Sequence, residues 1–278
     1  MEVLPGSSQR RVCRVLKVSR ASAEPTKVEP TSRRERPVNA LLAERVWALI
    51  QRFPTFGYRR LWAWLRFREG WKINKKTVYR VLKIKGWFVH QRQRTPRPRA
   101  HGRKSQAPAS NQRWAMDVTH IPCGADGWAH LAAVIDCHDH ELIGHELARR
   151  GRAREAERAL EAACLRRFGT LRPSGATPVV RSDNGLIFQS RRFRAACRDY
   201  RLTQEFITPY TPEQNGMIER FFRSLKEECV WQHAFRSFEE ARTTIARWIR
   251  FYNEQRPHPA LNYQSPAQYR AQQQLQVA

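Results

Sequence analysis

From Trp114 to about residue 254 the chain alternates short apolar runs with amphipathic stretches, and no other feature narrows the choice of fold as far. WAMDVTHI (114–121), WAHLAAVID (128–136) and ELIGHEL (141–147) have strand length, with turn residues at Gly124–Gly127 and His138–His140 between them. Connections this short join antiparallel neighbours. A helix at 154–168, a strand at 177–183, a helix around 190–200 and a strand at 204–208 follow, then helices at 213–230 and 238–254. Three antiparallel strands, then strands separated by helices, predict one α/β domain.

Upstream the pattern is helical. QRRVCRVLKVSRAS (9–22) is a weak basic helical element and 23–37 is polar, so 1–37 forms a basic N-terminal segment and linker. Leu41, Leu42, Val46, Trp47, Leu49 and Ile50 keep helical spacing until Pro54. A second helix starts near Gly57, with Leu61, Trp62, Trp64 and Leu65 apolar and Arg59, Arg60, Arg66 and Arg68 basic, and it ends at Gly70. Asn74 is an N-cap for a third, KKTVYRVLKIK, whose Val78, Val81, Leu82 and Ile84 can face inward, while Gly86 suits a left-handed end. Three short helices within 38–90 predict a helix-turn-helix domain. Residues 91–112 form a basic, Pro-rich linker between two folded units, either a tether or a segment that orders along a phosphate backbone.

Charge supplies the partner. Residues 1–112 carry 27 Lys and Arg against 6 Asp and Glu, net +21, whereas 113–278 carry 24 against 19, net +5. Each cation that neutralises a phosphate releases counterions, so nucleic acid explains such an excess better than an anionic membrane, which calls for an amphipathic basic helix. Lys75, Lys76, Tyr79, Arg80 and Lys83 share one face of the third helix at spacings of three and four, which makes that helix the candidate for a DNA groove, supported by Arg59 and Arg60. The competing reading is a solvated basic face. No run approaches the ~20 apolar residues of a membrane span, and MEVLPGSSQRR lacks the apolar core of a signal peptide. The expectation is a cytoplasmic protein with no membrane partner. Cys13, Cys123, Cys137, Cys164, Cys197 and Cys229 are widely spaced without a CxxC pair, as free thiols are.

Three carboxylates stand out. Asp117 lies mid-strand, flanked by apolar residues. Asp183 ends a buried-type strand in VVRSDNG, where ligands collect in α/β folds, and Glu219 lies two turns into a helix held down by Ile218, Phe221, Phe222 and Leu225. Singly each has a plain reading: a hydrogen-bonded strand Asp, an Asp-Asn-Gly turn, a solvated helical Glu. Asp136, Asp139 and Glu141 are turn or surface groups on this reading, and Cys137, His138, His140 and His145 lack the paired spacing of a zinc site.

RSDNG, the 35 residues between Asp183 and Glu219, PYTPEQNGMIERFFRSLKEE, the ending YNEQRPHPALNYQSPAQY, and FGYRRLWAWL with INKKTVYRVLK together resemble the orfB-type DDE transposases of bacterial insertion sequences. The match is to the IS-three family, within the retroviral integrase superfamily. The resemblance implies an RNase H-like integrase catalytic core over 113–272 with a C-terminal helix, preceded by the helix-turn-helix domain. It implies Asp117, Asp183 and Glu219 as catalytic triad and metal ligands. Lys226, seven residues past Glu219 and so on its face, would be the accompanying DNA-binding residue. Arg181 departs from the family, which often has His there, and His258 matches a structural position. Three hard oxygen ligands suit Mg2+, with Mn2+ as substitute. In two-metal sites the ions lie ~3.5–4 Å apart, which assigns Asp117 as the bridge and one ion each to Asp183 and Glu219.

The implied activity is metal-dependent cleavage and strand transfer of element ends. The partners are double-stranded DNA, both terminal inverted repeats and target, a second copy of the chain in a homo-oligomer on DNA, and an upstream-frame protein as partner or fusion. The implied location is the bacterial nucleoid. A nuclease that cuts without joining and a non-catalytic DNA-binding remnant stay open as alternatives; a joining assay separates the first, and a lost carboxylate would mark the second.

Overall fold

The computed structural model describes residues 8–18, 37–89, 107–209 and 211–277, so nearly all of the polar stretch expected as a linker at 23–37 and most of the linker expected at 91–112 lie outside the described residues. The chain divides into two bodies, residues 1–42 and 43–278. The first holds helix α1 (Gln9–Val15) and the start of α2 (Ala40–Arg52). The Asn39 side chain accepts a hydrogen bond from the Leu42 amide at 3.0 Å, which caps α2.

In the second body α2 continues, followed by α3 (Tyr58–Phe67) and α4 (Lys75–Lys85). Val46, Leu49, Leu61, Leu65, Val78, Val81 and Leu82 are buried. The Asn74 side chain accepts from the Lys76 amide, and Gly86 ends α4 in the left-handed conformation at φ 68°. Ile84 does not face inward: it is 46% exposed, because it sits roughly 100° around the helix from the Val78, Val81 and Leu82 stripe.

The sheet has the order β3-β2-β1-β4-β5. Strands β1 (Arg113–Pro122), β2 (Trp128–Asp136) and β3 (Leu142–Ala148) are antiparallel; β4 (Val179–Ser182) runs parallel to β1, and β5 (Thr203–Phe206) parallel to β4. Helix α5 (Ala153–Phe168) precedes β4. A short helix α6 (Leu186–Gln189) precedes the helix expected around 190–200, which is α7 (Arg191–Asp199), capped by the Ser190 side chain accepting from the Phe193 amide. Then come α8 (Gly216–Glu228), α9 (Phe238–Glu254) and α10 (Pro266–Val277), which runs past the expected boundary at 272. The layout is a mixed, RNase H-like sheet with helices on both faces.

Strand alternation sorts the core into two layers. Trp114, Met116, Ala132, Val134 and Val180 pack with Leu160 of α5 and Phe193 of α7. Ala115, Ile121, Leu131, Ala133 and Ile135 pack with Ile218, Phe221 and Leu225 of α8 and Ile245 and Ile249 of α9. Gly144 lets α5 approach β3, since a Cβ there would stand 2.1 Å from the Ala159 carbonyl oxygen.

Three expectations are corrected. Residues 107–112 belong to the core: Ala107 is buried, Ser110 donates to Asp139 at 2.8 Å and the Asn111 amide to Asp136 at 2.7 Å. The helical region is also not held apart from the sheet domain. Phe53 stacks on Phe251 of α9 with centroids 5.4 Å apart, Trp64 lies 6.4 Å from the same ring, and Arg68 donates to the Glu254 carbonyl at 2.9 Å. Asp136, Asp139 and Glu141 are not surface groups either. All three are buried around Arg167, whose guanidinium lies 2.8 Å from Asp139 and 3.2 Å from Glu141, with Arg166 and Arg270 also on Glu141. Burying these acids is tolerable because cations accompany them.

Candidate active site

Asp117 sits mid-β1, opposite Ala133 of β2 and on the same sheet face as Ala115 and Ile121, the face α8 covers. Its Oδ1 accepts from the Val118 amide at 2.7 Å. Asp183 follows the last residue of β4, and its Oδ1 accepts from the Gly185 amide at 3.0 Å. A Cβ on Gly185 would come within 2.9 Å of that oxygen, so glycine allows the turn to fold against the carboxylate. Glu219 lies in the first turn of α8 rather than two turns in, because residues Pro212–Asn215 form a separate 3-10 turn. Its side is exposed while Ile218, Phe221, Phe222 and Leu225 bury the other.

Electrostatics ties these elements together. Burial pushes the Asp117 carboxyl up, repulsion from Asp183 and Glu219 adds to that, the Val118 amide and Lys226 oppose it, and the balance lies at about 7. Asp183, Glu219 and Lys226 therefore all lie within electrostatic reach of one half-buried carboxyl. The four expected residues, scattered over more than a hundred positions, come to one place because β1 and β4 are neighbours and α8 crosses the same face.

Further residues brace the site. Arg181, in β4, forms a two-pronged bond to Glu205 of β5, Nε to Oε2 at 3.1 Å and Nη2 to Oε1 at 2.9 Å, and its Nη1 donates to the Gln214 carbonyl at 3.2 Å. Asn215, buried, donates to the Met116 carbonyl at 3.5 Å. The sequence marked Arg181 as a departure without a role, and nothing marked Glu205 or Asn215. Their pairing is a matter of strand order, which spacing does not reveal.

The basic face divides. Lys75, Lys76, Tyr79 and Lys83 of α4 are exposed, as is Arg59, which donates to the Tyr58 hydroxyl at 3.1 Å. Tyr58 meets Tyr79 edge-on, and the Lys75 ammonium lies 5.0 Å from the Trp62 ring centroid. Arg80 is half-buried. Arg60 does not join that face: its Nη1 donates to Glu228 of α8 at 2.7 Å. Successive helical residues are separated by about 100°, so Arg60 turns toward the sheet domain as Arg59 turns away. Glu228 also holds Arg256 at 2.6 Å, and Arg256 donates to His258 at 3.4 Å. His140 and His145 stay neutral-leaning, burial lowering both, and the six cysteines are buried free thiols.

The mixed sheet with helices on both faces, preceded by a helical domain, is the layout of the integrase-core class. The integrase core domain family matches residues 107–212 and again 200–266, and the HTH-like domain family matches 37–95. The transposase InsD for insertion element IS2A/D/F/H/I/K of Escherichia coli is 30% identical over 231 residues, covering 81% of this chain and 76% of that protein. The insertion element IS476 uncharacterized 39.2 kDa protein of Xanthomonas euvesicatoria is 32% identical over 273 residues, 98% of this chain and 75% of that one. A chain of the simian T-cell lymphotropic virus intasome, solved in complex with PP2A regulatory subunit B56 gamma, superposes with a TM-score of 0.49 at 18% identity, covering 81% of this chain and 74% of that one. The chain belongs to the insertion-sequence transposases of the IS-three family.

Proposed function

We propose that this chain cleaves the DNA ends of an insertion sequence and joins the freed 3′-hydroxyl to target DNA, with Asp117, Asp183 and Glu219 as the catalytic carboxylates. The observation that supports the reading is that these three acids come from β1, the end of β4 and the start of α8, with Asp183, Glu219 and Lys226 all acting on the half-buried Asp117 carboxyl. Membership of the transposase family supports polynucleotidyl transfer as the reaction class.

Among the described residues no group of three His, Cys, Asp or Glu side chains closes around an ion. The donor set still fits a hard divalent cation. Three carboxylates that repel one another, open to solvent at Glu219, suit Mg2+, or Mn2+ in its place, because these ions keep waters and accept phosphate oxygens. When bound, the ions activate the attacking oxygen and stabilise the leaving one. Asp117, Asp183 and Glu219 would hold the ions. The attacking oxygen belongs to water in cleavage and to the 3′-hydroxyl in joining, so no protein nucleophile is needed. Lys226, on the Glu219 face of α8, neutralises the phosphate being attacked.

Arg59, Lys75, Lys76, Tyr79, Arg80 and Lys83 are the proposed contacts to terminal inverted repeats, within a DNA-binding domain at 38–90; Arg60 is left out because Glu228 holds it. The proposed assembly on DNA is a homo-oligomer, with an upstream-frame protein as partner or fusion. The test is substitution of each acid. Asp117→Asn, Asp183→Asn and Glu219→Gln should each reduce Mg2+-dependent cleavage of an element-end duplex by more than about a hundredfold, the loss that even outer partners of a metal site can cause. Filter retention of the same DNA should survive. Cleavage at the wild-type rate in any of the three would remove that residue from the triad.

A further inference from the structure

We infer that Arg181 is a positioning residue that sets the spacing between the strand end carrying Asp183 and the helix carrying Glu219; the inference rests on the triad proposed above. Arg181 lies two residues before Asp183 and pairs in parallel register with Ala115, so it faces the side of the sheet on which Asp117 and α8 lie. Its side chain is 9% exposed. All three guanidinium nitrogens are engaged, Nε and Nη2 by Glu205, its direct partner in β5, and Nη1 by the Gln214 carbonyl.

Gln214 stands in the 3-10 turn that leads into α8, five residues before Glu219. Its side chain binds Thr208 twice, accepting from the amide at 2.9 Å and donating to the hydroxyl at 3.1 Å, so the loop from β5 to α8 is closed on itself and then fastened to Arg181. On its other side Asn215 holds the carbonyl of Met116, the residue before Asp117. One buried arginine and one buried asparagine thus connect the three segments that carry the triad. The Arg181 nitrogens are already committed to Glu205, which also pairs with Arg113 at 3.5 Å, and to the Gln214 carbonyl, so Arg181 is placed to brace the site and not to bind phosphate. The rigid planar fork of arginine pairs bidentately with the carboxylate while a third nitrogen reaches the carbonyl, a geometry that the single rotatable ammonium of lysine cannot reproduce.

The test compares full-length wild type with Arg181→Lys, Glu205→Gln and Asp117→Asn. Three quantities are measured on each: Mn2+ binding by calorimetry without DNA, kcat and KM for cleavage of an element-end duplex, and Tm. In Arg181→Lys, Mn2+ affinity should fall about tenfold or more and kcat by about 10–100-fold, with KM for DNA within about twofold. Glu205→Gln keeps the Gln214 contact but loses the charge pairing, so its Mn2+ affinity and kcat should fall by less. Wild-type Mn2+ affinity and kcat in Arg181→Lys overturn the inference. A kcat loss that only follows a loss of folded protein overturns it too. If Arg181→Lys does not fold, Glu205→Gln decides, and wild-type values there overturn it. Asp117→Asn separates the two levels: if it still cleaves, the triad reading fails, whereas an inert Asp117→Asn beside a wild-type Arg181→Lys condemns only the role of Arg181.

Discussion

Burial raises the Asp117 carboxyl, and the charges of Asp183 and Glu219 add to that. A residue kept in such surroundings destabilises the metal-free fold. We predict that Asp117→Asn, which keeps the shape and removes the charge, stabilises the protein by about 1 kcal/mol, about 2–4 °C in Tm for a domain of this size. Thermal melts with and without Mg2+ check it. The wild type should gain from Mg2+ and the variant should not; a variant that melts lower than wild type without metal would show that burial and repulsion at Asp117 are unimportant. Lys226 offers a second reading at this scale. Lys226→Gln should raise KM for DNA while leaving the Mg2+ dependence of cleavage in place, and a lost Mg2+ response would place Lys226 in holding the carboxylates instead.

Helix α8 joins chemistry to architecture, since it starts with Glu219 and ends with Glu228, where Arg60 of α3 and Arg256 converge. Burial alone would raise the Glu228 carboxyl, but Arg256 and then Arg60 more than reverse this and hold it below the usual carboxylate range. Its folded value lies below the unfolded one, so its stabilisation is complete above pH 4.5 and is lost as pH falls below that through the depressed value. Glu228→Gln leaves the buried Arg256 and the half-buried Arg60 without their shared counter-charge and should cost about 3 kcal/mol. Urea melts from pH 7 down to pH 3 check both: the variant should be weaker at pH 7, and the gap should close with acid. A gap that widened with acid would reverse the sign of the argument. Alternation and turn residues made β1, β2, β3 and α9 legible in the sequence, because each declares itself within a dozen residues. Arg60, Arg167 and Arg181 were not legible, because each is defined by a partner on another element. Asp136 and Asp139 were misread for the same reason: a turn sequence does not reveal the arginine that folds over it.

At the scale of the molecule, net +21 over residues 1–112 and +5 over 113–278 match a division between holding DNA and acting on it. Neutralising Lys75, Lys76, Arg80 and Lys83 together should flatten the salt dependence of DNA binding by several units, each phosphate contact contributing a slope of roughly −0.9. An unchanged slope would move the DNA face off α4. The sequence suggested two tethered units; the structure docks them through Phe53, Trp64 and Phe251, aromatic residues whose pairing no local pattern announces. Phe251→Ala should therefore weaken the whole fold by about 3–5 kcal/mol, seen as a single lowered melting transition. Two separate transitions would show that the helical domain stands alone. The central claim, that one triad both cuts and joins, is tested most directly by supplying a pre-cleaved element end with a free 3′-hydroxyl, target DNA and Mg2+. Wild type should yield the joined product and Asp117→Asn none, with both retaining the DNA; cleavage of intact ends by wild type without any joining of the pre-cleaved end would contradict the account.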